Sequence, residues 1–259
     1  EMIKGMIKMI NPNRGLFAPS LKMMICIPSG ITEVEKRAVR DSAEHSGAKE
    51  VYMIHEPMAA ALGMGIDVEA PEGNMIIDIG GGTTEIAVIS LGGIVCDKSI
   101  RIAGDEFNAD IEEFVRRQHN LQIGPRTAEQ LKIDVGAASV ELDNPPPDCA
   151  VRGRDTLSGL PKEVYVSYSE IAHCLEKSIS KIEEAIITAL EMTPPELAAD
   201  IYDKGIYMAG GGSLLRGLDK RISLKTKLTV HVCEDPLRAV ARGTNIALKN
   251  HRKYKFIMQ

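Results

Sequence analysis

Two runs of three glycines, at 80–82 and 210–212, each follow a short apolar stretch that reads as a strand. Such turns bring open backbone to the ends of strands, and two in one chain reinforce each other. The first run lies within DIGGGTT, from Asp78 to Thr84, and a second strand follows it. A Walker loop or a dinucleotide fingerprint needs a helix at that point, so neither fits. A hairpin tip of three glycines and two threonines does fit. Glycine permits φ > 0 and close approach, so successive N–H groups of Gly80, Gly81 and Gly82 can converge on phosphate oxygens. The hydroxyls of Thr83 and Thr84 can donate to the same oxygens. Asp78, at the strand end, is placed to hold a hydrated Mg2+. An ordinary glycine-rich hairpin turn is the alternative.

The second run, Gly210, Gly211 and Gly212, reads as strand, turn and then helix, a generic anion seat that can equally be structural. A third element is Glu56-Pro57, just after a strand at 51–54. A carboxylate there can act on a water facing a terminal phosphate. It can also be an exposed helix-start acid favoured by the macrodipole.

The remaining pattern alternates strands and helices. Helices are expected over 1–10, 32–47, 57–65, 105–119, 127–138, 167–192, from 193 onward, 213–222 and 236–249. Thr32 with Glu35 three residues on forms a capping box. Strands are expected over 22–27, 51–54, 74–79, 85–90, 94–100, 205–209 and 229–232. The middle three make a meander, so the sheet is mixed. Residues 139–166, with Asn144 and three prolines at 145–147, read as loop and short hairpins. The fold class is therefore α/β.

Composition removes several function classes. Thirty-one basic residues against 36 acidic ones give a net charge of −5, and there is no Trp. A chain-wide nucleic-acid surface and base-stacking platforms do not fit. Five Cys form no CxxC pair and six His show no metal spacing, so reduced thiols and no dedicated metal site are expected. No apolar run approaches the ~20 residues of a membrane-spanning helix.

In order and spacing, Glu56-Pro57, DIGGGTTE and AGGGSLLRGL resemble the actin-like ATPase superfamily of actin, heat-shock chaperone ATPases and sugar kinases. PSGITEVE from Pro28, EPMAAA from Glu56, IAGD from Ile102, RTAEQLK from Arg126, TPPEL from Thr193 and AGGGSLLRGLD from Ala209 are similar to the MreB family of bacterial actins. The likeness spans nearly the whole chain. It implies an actin-like fold of ribonuclease H-like mixed sheets with flanking helices. The implied parts are 1–72 plus 235–259 (first large subdomain), 73–106 plus 167–234 (second), and 107–166 (small insert). It also implies ATP or GTP with Mg2+, hydrolysis between the large subdomains, and self-association into filaments. Expected partners are the inner membrane surface, the cell-wall elongation machinery and cell-shape membrane proteins. The implied location is the cytoplasm, at the inner face of the membrane.

By the same resemblance, Asp78 contributes to the metal site through water, and Gly80, Gly81, Gly82 and Thr83 cradle the β- and γ-phosphates. Glu56 with Thr83 positions the attacking water. Gly104 and Asp105 lie near the ribose, Glu129 and Lys132 flank the nucleoside, and Gly210, Gly211 and Gly212 form the opposite wall. His55 stands where the family often has Glu. The superfamily's other phosphate loop, an Asp-Leu-Gly-Thr type hairpin, has no counterpart in this sequence, which opens on Glu1. Poor ATP binding and little hydrolysis by this chain alone are therefore expected.

Leu16 and Phe17, at an expected loop tip near Lys8, Arg14 and Lys22, suit an anionic membrane surface, the alternative being that they fold back on the core. Three other readings stay open: a small-molecule kinase of the same superfamily, a chaperone ATPase half, and an inactive fragment. The kinase needs a catalytic Asp for a hydroxyl substrate, and none stands out. The chaperone half calls for a following peptide-binding domain.

Overall fold

A computed structural model of the protein describes residues 2–10 and 21–258. Leu16 and Phe17 lie outside the described residues. The first half runs α1 (Met2–Ile10), β1 (Leu21–Ile27), α2 (Glu33–His45), β2 (Ala48–His55) and α3 (Glu56–Gly63). A meander follows, β3 (Asn74–Ile79), β4 (Thr84–Ser90) and β5 (Gly93–Ile100). Next come α4 (Gly104–His119), β6 (Leu121–Gln122), α5 (Pro125–Val135), β7 (Cys149–Asp155) and β8 (Pro161–Val166). The last elements are α6 (Tyr168–Glu191), α7 (Pro195–Lys204), β9 (Ile206–Ala209), α8 (Leu218–Thr226), β10 (Val230–Val232) and α9 (Ala239–Lys249).

Local chemistry sets these boundaries. Thr32 accepts from the Glu35 N–H while the Glu35 carboxylate accepts from the Thr32 N–H, the capping box read from the sequence. Ser167 and Glu170 repeat it at α6. Pro125 opens α5 at a position where its missing N–H costs nothing.

β1 and β2 pair in parallel, Ile27 beside His55, with α2 as the crossover. The central sheet has the order β10-β9-β3-β4-β5, antiparallel through the meander and parallel from β3 to β9 to β10. A small sheet, β6-β7-β8, gives residues 139–166 one hairpin.

β3 is buried on both faces. Met75, Ile77 and Ile79 enter a core with Phe107 and Ile111 of α4, Leu131 of α5 and Leu175 and Ile179 of α6. Val151 of β7 and Val166 of β8 join that same core. Ile76 points the other way, into a second core with Ala59, Ala60 and Ala61 of α3 and Ala239 and Ala247 of α9. Here two helices meet at backbone distance. A Cβ on Gly243 would sit 1.7 Å from the Ala59 carbonyl oxygen, and one on Gly63 1.8 Å from that of Ala239.

One helix expectation is corrected. Residues 213–222 are not continuous helix. A single 3-10 turn, Gly211–Leu214, is followed by Gly217 at φ 76° and then α8. The Ser213 hydroxyl donates to the Gly210 carbonyl (2.7 Å) and the Leu215 N–H to that of Gly212 (3.1 Å), which closes the tight turn. Among the described residues no helix is long and apolar enough to cross a membrane. The five cysteines are free thiols.

Candidate functional site

The β3–β4 hairpin and the start of α4 build one wall. The Gly80 N–H bonds to the Thr83 carbonyl (3.0 Å), closing the hairpin. The Gly104 N–H donates to the Gly80 carbonyl (3.1 Å) and the Asp105 N–H to that of Gly81 (2.7 Å). The first donors of α4, which no turn of the helix itself can satisfy, thus clamp the glycine loop.

The glycines of the two runs differ in kind. None of Gly80, Gly81 and Gly82 uses the positive φ that glycine permits. A Cβ on Gly81 would lie 3.8 Å from the Asp105 carboxylate, and one on Gly82 4.0 Å from it. Neither backbone conformation nor protein packing demands glycine there, and the loop leaves a cradle that side chains would fill. Gly210 has φ 79°, and its Cβ would lie 2.3 Å from the Ile79 carbonyl oxygen. One on Gly212 would lie 2.2 Å from Ile79 Cγ2. Those two glycines let the second turn lie directly on the end of β3.

Between the walls lies a cavity of about 520 Å3, within the range of small-ligand sites. Gly80, Gly81, Gly104 and Asp105 line one side, Glu129 and Lys132 of α5 another, and Gly211 and Gly212 face them. The Lys132 ammonium donates to Glu129 (2.9 Å) and to the Gly104 carbonyl (3.1 Å), tying α5 to α4. The Lys132 and Asn108 hydrogen bonds hold Glu129 below the usual carboxylate range. Sequence reasoning missed the apolar lining of Phe107, Ile133, Leu214, Leu215 and Leu237. Leu237 is 70% exposed and Ile133 57%, a signal visible only once the helices are placed. Thr84 is a correction. It is wholly buried and its hydroxyl donates to the Ile102 carbonyl (2.7 Å), so it fastens β4 to the chain before α4 and does not face the cavity.

A carboxylate group lies beyond the hairpin. Asp78 and Glu85 are cross-strand partners on one face, and Glu56 opens α3. Burial, then Glu56, then Glu85 push the Asp78 pKa up to about 7. Burial and Glu85 raise that of half-buried Glu56. Three mutually repelling acids suit a cation better than a bare phosphate. Among the described residues no three His, Cys, Asp or Glu side chains converge to hold a metal ion alone. Asp78 would therefore hold a divalent ion only together with a ligand that brings oxygens of its own. Thr83 sits half-buried at the hairpin tip.

A mixed sheet flanked by helices, with a cavity between two glycine turns, defines an actin-like protein, and solved structures agree. MreB5 of Spiroplasma citri bound to ADP superposes with TM-score 0.91 at 40% identity, covering 97% of this chain and 74% of that one. The same protein bound to AMPPNP gives 0.90. The MamK double helical filament, 23% identical with TM-score 0.79, shares the fold. In sequence, the MreB/Mbl protein family model matches residues 1–256. The cell shape-determining protein Mbl of Bacillus subtilis (strain 168) is 46% identical over 97% of this chain and 74% of its own length. Cell shape-determining protein MreB of Escherichia coli (strain K12) is 44% identical over 96% of this chain and 71% of its own length. The chain belongs to the MreB/Mbl family.

Proposed function

We propose that the protein is a nucleotide-dependent, filament-forming cytoskeletal protein that sets rod cell shape by organising wall synthesis at the membrane. The cavity takes ATP or GTP with Mg2+. The observation that carries this reading is the cradle at Gly81 and Gly82, where glycine is required by nothing within the chain. Support comes from the ADP and AMPPNP bound to a 40% identical relative and from the cell-shape names of the family.

In this reading Gly80, Gly81, Gly82 and Thr83 hold the outer phosphates through N–H and hydroxyl donors. Asp78 would hold a hydrated Mg2+, whose chemistry would be to neutralise phosphate charge. Glu56 accepts a hydrogen bond from the attacking water, and Thr83 fixes that water's line of approach. Its raised pKa brings Glu56 closer to the range where a carboxylate can take a proton and release it. The exposed apolar side chains of Ile133, Leu214 and Leu237 receive the flat base, and Gly104 with Asp105 lies beside the sugar. Leu16 and Phe17 meet the inner membrane surface, and the cell-wall elongation machinery and cell-shape membrane proteins are the further partners. Location at the cytoplasmic face of the membrane follows.

Sedimentation tests assembly against the kinase alternative. A filament protein pellets when Mg-ATP or Mg-GTP is added and needs no second substrate. A protein that stays soluble at every nucleotide concentration, and consumes ATP only with an added hydroxyl compound, contradicts the proposal.

A further inference from the structure

One buried acid joins the two halves of the molecule. Glu85 stands within β4, only 1% exposed. Its Oε2 accepts the Ser29 N–H (3.2 Å) and the Ser29 hydroxyl (2.7 Å), and its Oε1 accepts the Ser99 hydroxyl (2.5 Å). All three donors are uncharged. A carboxyl group this deeply buried is costly to keep there, and a residue needed only to fill space would be apolar. Ser99 lies on β5, in register with Glu85. Ser29 lies in the loop between β1 and α2, on the other half.

That loop is tied to Glu56. Ile27, two residues before Ser29, pairs with His55, and His55 Nδ1 lies 3.3 Å from the Pro28 carbonyl oxygen. Glu56 is the next residue along. Thr83 and Asp78 belong instead to the β3–β4 hairpin, whose second strand carries Glu85. Between these halves α3 contributes Met58, Ala59, Ala60, Ala61 and Leu62 against Ile76 and Ile89. Such apolar contacts are non-directional. Hydrogen bonds are directional and fix where their partners stand.

We propose that Glu85 is a positioning residue that, by gripping Ser29, sets where Glu56 stands relative to Thr83 and Asp78. The inference rests on the cavity being a nucleotide site in which Glu56 addresses the attacking water. Misplacement of a reacting group by a fraction of an ångström lowers the chemical step while leaving binding intact.

The test uses Ser29→Ala, Ser29→Thr and Glu85→Ala in the full gene product. Ser29→Ala is expected to lower kcat for Mg-ATP hydrolysis about tenfold with ADP affinity unchanged within about twofold, and Ser29→Thr, which keeps the hydroxyl, to restore it. Hydrogen exchange without nucleotide supplies the second readout. In Glu85→Ala the Ser29 amide is expected to exchange at least about tenfold faster, while the Ile76 and Ile77 amides stay protected. Wild-type kcat in Ser29→Ala, or ADP affinity falling in step with kcat, overturns the positioning role. Unchanged Ser29 exchange in Glu85→Ala overturns the grip itself. Wild-type protein that binds no nucleotide overturns the nucleotide reading instead, and the exchange result still decides the grip.

Discussion

At the residue scale, burial and space separate side chains that sequence treats alike. Asp78 illustrates this. Its carboxylate has an ordinary pKa of 3.8, raised to about 7 by burial and by Glu56 and Glu85. Between those values the folded protein keeps a proton that the unfolded chain has lost. Stability therefore falls as pH rises from about 4 to about 7, and the full penalty applies above that window. Asp78→Asn removes it. Without divalent cation, the variant should resist urea more than wild type at pH 8, by up to roughly 4 kcal/mol, and match it near pH 4. Parallel urea curves for the two proteins at both pH values contradict this. Asp78 and Glu56 were legible in the sequence because each follows an apolar run and meets a turn or a proline. Glu85 was not. It sits in TEIAVIS, where strand alternation puts it on the Ala87 and Ile89 face, and nothing local shows that this face meets Ser29.

At the element scale, secondary structure followed its local signals wherever capping and period agreed. The meander, the Thr32 capping box and the long α6 are set by neighbours a few residues apart, so the sequence displays them. The stretch 213–222 misled because its apolar spacing mimics a helix. The turn there is instead held by Ser213, by Gly217 at positive φ and by the approach of Ile79 to Gly212, a contact between residues far apart in sequence. The crossing of α3 and α9 is likewise non-local. It leaves no room for even one methyl group. Gly243→Ala should cost more than about 3 kcal/mol, and Gly212→Ala a comparable amount, read as loss of the thermal transition midpoint. A Gly243→Ala midpoint within a degree or two of wild type contradicts that packing.

At the scale of the whole molecule, two cores share the central sheet, and the cavity lies where the ends of β3 and β9 meet α4 and α5. The α/β class and the glycine runs were legible from period and spacing, whereas Gly104, Asp105, Glu129 and Lys132 of the cavity came only with the family resemblance of IAGD and RTAEQLK. The apolar lining was not, since Ile133, Leu214 and Leu237 come from three segments brought together by the fold. The proposed membrane contact is tested at Leu16 and Phe17 with anionic liposomes. Leu16→Ser/Phe17→Ser should abolish co-sedimentation, and undiminished co-sedimentation refutes the proposed role of these residues.

The nucleotide seat is tested most directly at Gly81. A Cβ there lies no closer than 3.8 Å to any atom beyond its chain neighbours, so Gly81→Val should fold with a melting midpoint close to that of wild type. The same side chain fills the space assigned to phosphate. Ligand-observed NMR detects weak as well as tight complexes. With Mg-ATP, wild type should show saturable binding and Gly81→Val at least about tenfold less. Equal binding by the two proteins, or none by wild type, would contradict the account.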